Sequence, residues 1–381
     1  MRYRILGKTG LEVSEIGFGG EWMAGKAPEE VRAFTQRCEE AGVNILDCWM
    51  ADPAVRSALG DAIKDTRERW IIQGHIGSTW QDGQYVRTRD MEKVRPAFED
   101  LLARFHTDHV ELGMIHYVDD LEEFDAIMAG PFMEYVRALK AAGTVRHIGL
   151  STHKPEVAVR AAQTGEIEAI MFSVNPAFDL MPAATELDTL FAEDSYDDSL
   201  AGMDAARAEV YATCERENVG ITVMKGYAGG RLLDAARSPF GVALTPVQLI
   251  HYALTRPAVA SIMVGASELA HLDEAVAYER AAKHERDYAN VLAHAPRHAY
   301  FGQCTYCGHC APCAVGIDIA MVNKLYDLAT TQPEVPASVR EHYRALRSNA
   351  AHCISCHFCE PRCPFGVKVA ERMQQTAALF E

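Results

Sequence analysis

The chain has 381 residues, of which 49% are hydrophobic and 24% are charged, and its formal net charge at pH 7 is −16. This acidic balance argues against a nucleic-acid partner, because nucleic-acid binding needs a surface rich in lysine and arginine. The amino-terminal residues lack the apolar region of a signal peptide and no apolar run reaches the length of a membrane span, so we expect a cytoplasmic protein with no membrane partner.

Short apolar runs alternate with helical patterns between residues 16 and 265, and this unit occurs eight times. Such alternation is typical of βα units with a parallel sheet, and eight units predict an α/β fold, the (β/α)8 TIM barrel. Residues 2–14 predict a hairpin that turns at residues 7–10 and closes the bottom of the barrel. The predicted strands are Ile16–Gly20, Asn44–Asp47, Trp70–Gly74, Val110–His116, His147–Ser151, Ala169–Ser173, Gly220–Met224 and Ser261–Gly265. The predicted helices are Glu29–Ala41, Ala54–Lys64, Met91–Phe105, Phe132–Ala142, Glu156–Ala162, Asp204–Glu217 and Pro246–Leu254.

The loop after the sixth predicted strand, about residues 176–203, is long for a connection in such a barrel and predicts a lid or a surface insertion. Its acidic residues predict a solvated surface rather than a metal site. These residues are Glu193, Asp194, Asp197 and Asp198.

The end of the chain predicts a second domain. Ile317–Leu328 and Pro336–Leu346 have helical periodicity and lie between two groups of cysteines. This arrangement favours a mainly helical, ferredoxin-like module over a compact two-hairpin ferredoxin. We therefore expect a barrel domain at residues 1–290 and a cysteine-rich domain at residues 291–381.

Eight of the eleven cysteines form these two groups, and the second reads C-x2-C-x2-C-x3-C-P, the run found in bacterial iron–sulfur proteins. In that run three cysteines bind one cluster and the fourth binds the other cluster. The pattern predicts two [4Fe–4S] clusters, one held by Cys304, Cys307, Cys310 and Cys363, the other by Cys353, Cys356, Cys359 and Cys313. The first group departs slightly, with two residues before Cys313 and no proline after it. A pair of structural zinc sites is the alternative, since C-x2-C pairs also bind zinc.

Polar side chains stand at or just after six of the eight predicted strands. The active site of a (β/α)8 enzyme lies at these carboxyl ends, so the set predicts a catalytic or binding site rather than residues that only stabilise the fold. The residues are Asp47 with Asp52, Gln73 with His75, His116, Ser151 with His153, Ser173 with Asn175, and Lys225.

Several segments also resemble the aldo-keto reductase family: Leu6–Ser14 (LGKTGLEVS), Gly42–Asp47 (GVNILD), Met114–His116 and Ile148–Ser151. The resemblance covers most of residues 1–280, and the cysteine-rich tail resembles the subset of that family with a carboxyl-terminal iron–sulfur domain. It implies a catalytic set of Asp, Tyr, Lys and His, in which Asp47 matches the Asp and His116 the His. Asp52 stands at the tyrosine position and His75 at the lysine position. Because the tyrosine donates the proton and the lysine lowers its pKa, this departure argues against ordinary carbonyl reduction.

The resemblance also implies a nicotinamide dinucleotide at the barrel mouth. The implied cofactor-binding residues are Ser151, His153, Asn175, Lys225, Gly229 and Gly230. Gly229 and Gly230 permit close approach of a pyrophosphate, although a glycine-rich turn is also an ordinary loop. Residues 258–279 contain no lysine or arginine to bind a 2′-phosphate, which favours NAD(H) over NADP(H), with a flavin as a further alternative.

The leading hypothesis is an iron–sulfur oxidoreductase that passes electrons from a ferredoxin-like donor to a small-molecule substrate or a cofactor in the barrel. Asp47, Asp52, His75 and His116 are its predicted catalytic residues. A lyase, dehydratase or isomerase with structural clusters is one alternative. An electron-transfer subunit with a degenerate barrel is another.

Overall fold

The computed structural model describes residues 1–186, 189–192, 195–196, 199–297 and 300–380. The acidic residues Glu193, Asp194, Asp197 and Asp198 lie outside this range. Backbone contacts divide the chain into two compact units. The first unit contains Met1–Ser173, Glu217–Gly226 and Ala258–Arg280, and the second contains Val174–Arg216, Tyr227–Pro257 and Ala281–Glu381. A domain boundary at residue 290 stays a prediction.

The first unit is built on a closed barrel of parallel strands, which confirms the predicted barrel. In chain order the strands are β1 (Tyr3–Ile5), β2 (Glu12–Ser14), β3 (Ile16–Gly19), β4 (Ile45–Cys48), β5 (Ile71–Ile76), β6 (Ser78–Gln81), β7 (Gln84–Arg87), β8 (Val110–Ile115), β9 (Val145–Thr152), β10 (Ala169–Ser173), β11 (Gly220–Met224) and β12 (Val259–Gly265). The barrel consists of β3, β4, β5, β8, β9, β10, β11 and β12, and it closes where β12 pairs with β3.

The seven helices predicted between the barrel strands are all present. In chain order the helices are α1 (Pro28–Ala41), α2 (Pro53–Ile63), α3 (Met91–Arg104), α4 (Leu121–Ala129), α5 (Pro131–Ala141), α6 (Pro155–Gln163), α7 (Ala205–Arg216), α8 (Pro246–Thr255), α9 (Leu269–Val276), α10 (Tyr288–Ala293), α11 (Ile319–Thr330), α12 (Ala337–Ala345) and α13 (Val369–Phe380). Proline begins α1, α2, α5, α6 and α8, a position where its fixed φ suits a helix and its missing N–H costs nothing. Helix α4 was not predicted; Asp120 caps it by accepting a hydrogen bond from the Glu123 N–H.

The amino-terminal hairpin closes the bottom of the barrel, as the sequence predicted. Strands β1 and β2 pair antiparallel, and the side chains of Leu6 and Val13 are fully buried in the barrel core. The Lys8 N–H donates to the carbonyl of Asn218, just before β11 begins. Other members of this core are Ile45, Leu112, Met114, Ala169, Met171, Ala260 and Met263.

A second hairpin, β6 with β7, is inserted directly after barrel strand β5. Its two turn residues both have positive φ, 50° at Asp82 and 78° at Gly83. A two-residue Asp-Gly turn of this kind matches the twist of the flanking strands. Trp80 pairs with Tyr85 across the hairpin. The turn therefore fixes the register of the hairpin and, with it, the position of Tyr85.

The second unit contains the helices predicted between the cysteine groups, here α11 and α12, and also α13, which was not predicted. The rings of Tyr343 on α12 and Phe380 on α13 stack with their centroids 4.1 Å apart. Deeper in this unit, Asp179 is fully buried and accepts hydrogen bonds from the hydroxyls of Tyr211 and Tyr252. In the described part of the chain, none of the helices combines the length and the apolar character that crossing a bilayer requires.

Candidate active site and cysteine groups

Three of the predicted catalytic side chains come from the carboxyl ends of adjacent barrel strands. Asp47 lies near the end of β4, His75 near the end of β5, and His116 directly after β8. The strand register pairs Asp47 with Gln73 and His75 with Met114, and the His116 N–H donates to the carbonyl of Ile76. Neighbouring parallel strands end at one edge of a barrel, and this brings the three side chains together.

These three side chains form a continuous hydrogen-bonded chain. His75 Nε2 lies 2.9 Å from Asp47 Oδ1, and His75 Nδ1 lies 2.8 Å from His116 Nδ1. All three residues are at most 5% exposed. Buried polar atoms must be paired to avoid a desolvation cost, and here each partner is another titratable group.

Tyr85 extends the chain, because its hydroxyl lies 2.7 Å from His116 Nε2. The Tyr85 ring meets the Trp49 ring edge-on at 5.2 Å, and Trp49 stacks on His116 with an interplanar angle of 9°. Tyr85 was not predicted from the sequence, because it does not follow a barrel strand. The available signal was the pair Asp82-Gly83, which marks a two-residue hairpin turn.

At the opposite end of the hydrogen-bonded chain, Asp47 is held by the side-chain amide of Gln73. Gln73 Nε2 donates to Asp47 Oδ1 at 2.9 Å, and Thr222 Oγ1 donates to Gln73 Oε1 at 2.8 Å. The threonine hydroxyl therefore orients the amide so that its NH2 group faces the carboxylate. Gln73 and Thr222 are both fully buried.

Burial sets the electrostatics of His116. It lowers the pKa of His116 well below 6.5, and the nearby His75, Arg89 and Arg87 add to this shift. His116 is therefore a neutral imidazole at pH 7. Burial raises the pKa of Tyr85, although Arg87 opposes the shift. Both Tyr85 and His116 are thus held in their uncharged forms.

Asp52, the residue at the family's tyrosine position, has a structural role in the helix that follows it. It is the N-cap of α2, and its carboxylate accepts a hydrogen bond of 2.8 Å from the Ala54 N–H. Such a cap satisfies a backbone donor that would otherwise lack a partner. Catalysis by Asp52 stays a prediction.

The end of β9 carries a second polar group. Ser151 Oγ accepts a 2.8 Å hydrogen bond from the Tyr117 N–H. His153 Nδ1 lies 2.9 Å from Asp119 Oδ2, and the His153 N–H donates to the other carboxylate oxygen at 2.7 Å. Burial raises the pKa of Asp119, but its hydrogen bonds with His153 outweigh burial and the net pKa is lowered. Asp119 is therefore a carboxylate at pH 7.

The remaining predicted cofactor residues fall in both units. Lys225 follows β11 in the first unit, half-buried and with a φ of 59°. Asn175 belongs to the second unit, where its side-chain oxygen accepts from the N–H groups of Ala177 and Phe178. Gly229 and Gly230 also belong to the second unit and have φ values of 64° and 81°, a region that favours glycine. A shared role in cofactor binding stays a prediction.

The eight clustered cysteines line two hollows in the second unit. Hollow 1 has about 340 Å³ of empty space including its open mouth, and hollow 2 has about 400 Å³. Hollow 1 is lined by Cys304, Cys307, Cys310 and Cys363, and hollow 2 by Cys313, Cys353, Cys356 and Cys359. Each hollow thus joins three cysteines of one group with the fourth cysteine of the other. Within the described ranges, no three His, Cys, Asp or Glu side chains are arranged around the position of a single metal ion.

Comparison with known proteins identifies the family. The profile of the aldo/keto reductase family matches residues 15–295, and both cysteine groups lie beyond that range. The chain is 27% identical over 287 residues to the uncharacterized oxidoreductase YqkF of Bacillus subtilis, covering 72% of this chain and 90% of the relative. It is 26% identical over 205 residues to the aldo-keto reductase YhdN of the same organism, covering 51% and 59%. Its fold is similar to the holo form of aldo-keto reductase AKR11C1 from Bacillus halodurans, with a TM-score of 0.58 and 22% identity over 75% of this chain and 94% of the other. The chain belongs to the aldo/keto reductase family and is an oxidoreductase of that type.

Proposed function

We propose that this oxidoreductase carries two [4Fe–4S] clusters and passes electrons between them and a small-molecule substrate or a cofactor in the barrel mouth. The observation that carries the proposal is the composition of the two hollows, four cysteines each. The crossing of the fourth cysteine is the ligand pattern of two-cluster iron–sulfur proteins. A soluble ferredoxin-like protein is the proposed electron donor, and the cytoplasm is the proposed location.

The surroundings of the cysteines fit a cluster. Apolar residues complete each hollow, among them Phe365 and Val367 in hollow 1 and Ile317 and Met373 in hollow 2. The Val367 N–H donates to Cys363 Sγ at 3.4 Å, and hydrogen bonds of this kind to ligand sulfurs tune cluster potential. When bound, the clusters would store and transfer single electrons. Structural zinc remains the competing occupant.

Iron analysis of anaerobically purified protein tests this part of the proposal. We expect about eight iron atoms and about eight acid-labile sulfides per chain, as two [4Fe–4S] clusters require. Cys313→Ala should remove the cluster in hollow 2 and Cys363→Ala the cluster in hollow 1, each with about half of the iron. Cys38→Ala, at a buried cysteine in the barrel unit, is the control and should keep all of the iron. Protein that contains zinc and little iron would overturn the proposal.

We further propose that the barrel mouth binds a nicotinamide dinucleotide, with NAD(H) preferred over NADP(H). When bound, the nicotinamide would supply or accept a hydride. The residues proposed to hold it are Ser151, His153, Asn175, Lys225, Gly229 and Gly230. The absence of lysine and arginine from residues 258–279 supports the preference, because a 2′-phosphate needs a positive partner. Quenching of protein fluorescence by NADH and NADPH, measured in parallel, tests both binding and preference. Finding a flavin in the purified protein would overturn the assignment of a nicotinamide dinucleotide to this site.

The polar residues of the barrel favour a catalytic barrel rather than a degenerate barrel that only serves as a scaffold. Asp47, His75 and His116 are buried, mutually hydrogen-bonded and supported by Gln73, an arrangement with a desolvation cost that a packed apolar core would avoid. We propose acid–base roles for Asp47, His75 and His116.

Electron exchange is tested by reducing the clusters with dithionite, removing the excess, and adding NAD⁺ or 4-nitrobenzaldehyde as probes. Reoxidation seen in the visible absorbance supports the proposal. Clusters that stay reduced with every probe, in a protein that still turns over a non-redox substrate, would favour the lyase or isomerase alternative.

A further inference from the structure

Tyr85 differs from the other members of the hydrogen-bonded chain, because it is half-buried while Asp47, His75 and His116 are almost fully buried. A substrate at the barrel mouth can therefore reach the chain through Tyr85. We propose that Tyr85 is the catalytic residue that exchanges a proton with the substrate oxygen, and that His116 and His75 relay this proton to and from Asp47. This inference rests on the proposed oxidoreductase function and assigns its proton donor.

The direction of each hydrogen bond follows from Asp47. A carboxylate accepts hydrogen bonds only, so His75 must donate to it through Nε2–H. In its neutral form His75 has one donor and one acceptor nitrogen, and in that form His75 Nδ1 accepts from His116 Nδ1–H.

The same rule continues outward to the tyrosine. With Nδ1 as its donor, His116 has Nε2 as its acceptor, so the Tyr85 hydroxyl donates to Nε2 across 2.7 Å. The Gln73 amide donates to the same Asp47 oxygen and is a second hydrogen-bond donor to it. All three hydrogen bonds therefore point from Tyr85 toward Asp47.

This direction leaves the Tyr85 oxygen with lone pairs to accept a proton from a substrate alcohol. In alcohol oxidation the substrate O–H proton moves to Tyr85, the Tyr85 proton moves to His116 Nε2, the His116 Nδ1 proton moves to His75, and the His75 Nε2 proton moves to Asp47. A bound oxidised nicotinamide would accept the hydride of the substrate C–H bond, so that the alcohol would lose one proton and one hydride and become a carbonyl. Carbonyl reduction is the reverse, with the proton leaving Asp47 and Tyr85 protonating the substrate oxygen.

The charged and titratable neighbours of Tyr85 suit this role. Burial is the largest influence on the pKa of Tyr85 and raises it, Tyr117 adds to the rise, and Arg87 and Arg89 oppose it. The guanidinium of Arg89 also donates to the carbonyls of His116 and Tyr117, which fixes the backbone at the end of β8. A phenol thus reaches the site from the inserted hairpin, while the family's tyrosine position holds Asp52 in a helix cap.

The tautomers of the two histidines test the relay without any substrate. In ¹⁵N spectra of ring-labelled histidine, we expect His116 as the Nδ1–H form and His75 as the Nε2–H form, assigned by the signals lost in His116→Gln and His75→Gln. Tyr85→Phe removes the hydroxyl that donates to His116 Nε2. The ¹⁵N resonance of Nε2 should therefore move toward the value of an imidazole nitrogen that accepts no hydrogen bond. Opposite tautomers at both histidines, or no change in Tyr85→Phe, would overturn the relay.

Kinetics test the catalytic role. With 4-nitrobenzaldehyde and NADH as probes, Tyr85→Phe should lower kcat about 100- to 10,000-fold, the usual range for a lost acid–base catalyst, with little change in KM. Tyr135→Phe, which removes the same atom from a tyrosine of α5, should stay within about twofold of the wild type. Wild-type-like kcat in Tyr85→Phe would overturn the role of Tyr85. Failure of the wild type to reduce any carbonyl probe would instead count against the proposed function, while the tautomers would still decide whether the relay exists.

Discussion

The Nδ1 atoms of His75, near the end of β5, and His116, directly after β8, lie 2.8 Å apart. Two ring nitrogens at this distance share one proton, since two N–H groups would repel and two lone pairs would gain nothing. The contact therefore couples the protonation of the two histidines. A charge on either ring changes the protonation of the other ring. The two histidines therefore act together between Asp47 and Tyr85.

Substituting Asp47 should block proton transfer through the His75–His116 pair while leaving the shape of the site intact. In Asp47→Asn the amide oxygen can still accept hydrogen bonds from Gln73 Nε2 and His75 Nε2, but an amide cannot take up the relayed proton as a carboxylate does. We expect a loss of kcat of about 100- to 10,000-fold, because a correctly shaped site without its terminal base cannot relay a proton. The measurement is kcat with 4-nitrobenzaldehyde and NADH.

Asp61→Asn, at an exposed carboxylate that also contacts a histidine, serves as the control for Asp47→Asn and should have wild-type kcat. Equal rates in Asp47→Asn and the wild type would contradict the prediction.

His116 should remain neutral well below pH 6.5, since burial lowers its pKa. Its ring signals should therefore not move between pH 8 and pH 6. The unfolded chain takes up a proton at this residue near pH 6.5 and the folded chain does not. The contribution of His116 to stability is therefore complete above pH 6.5 and is lost as the pH falls from there toward the folded pKa. A His116 signal that titrates near pH 6.5 would contradict the assigned environment.

The turn of the inserted hairpin should matter for activity more than for global stability. Gly83 has a φ of 78°, and no heavy atom lies within 4 Å of the point where a β-carbon would stand, so a larger residue meets strain but no clash. Gly83→Val should destabilise the hairpin by about 1–2 kcal/mol, the cost of a left-handed conformation for a residue with a β-carbon. Hydrogen exchange of the hairpin amides should become faster and kcat should fall, while the melting temperature of the protein changes little.

Gln84→Ala, next to Gly83 and exposed, is the matched control for the hairpin and should leave both hydrogen exchange and kcat unchanged. A slow-exchanging hairpin with reduced activity in Gly83→Val would show that the turn does not act through hairpin stability.

Arg256 should be required for hollow 1 to form. Its guanidinium is buried, donates to the carbonyl of Thr305 at 2.6 Å, and lies over the rings of Tyr252 and Tyr306. Thr305 directly follows Cys304, so loss of this contact leaves a buried carbonyl without one of its donors beside the ligand loop. Arg256→Met should cost about 1–3 kcal/mol, as expected when a hydrogen bond from a charged donor to a buried carbonyl is removed. We expect the iron content to fall by about half, with loss from hollow 1 first.

Arg347→Met, at an exposed arginine of the same unit, is the comparison for Arg256→Met and should retain all of the iron. Full iron content in Arg256→Met would contradict the prediction.

The barrel and much of its site could be predicted because the signals are local. Each strand appears as a short apolar run, and Asp47, His75 and His116 follow from the rule that parallel strands present their carboxyl ends at one edge. The hairpin and α4 were missed because both interrupt a repeating βα pattern with short elements that carry little periodicity. Asp52 shows the opposite case, since its place in the family motif says nothing of its hydrogen bond to the Ala54 N–H.

The sequence alone determined the family, the parallel barrel and the two groups of four cysteines, because apolar periodicity and cysteine spacing are properties of neighbouring residues. Only the tertiary structure decided which side chains meet. His75 and His116 are 41 residues apart, and Tyr85 reaches His116 from a hairpin that the barrel pattern does not contain. Hydrogen bonds act over about 3 Å, and only strand register and the hairpin turn bring residues so distant in the chain to that distance.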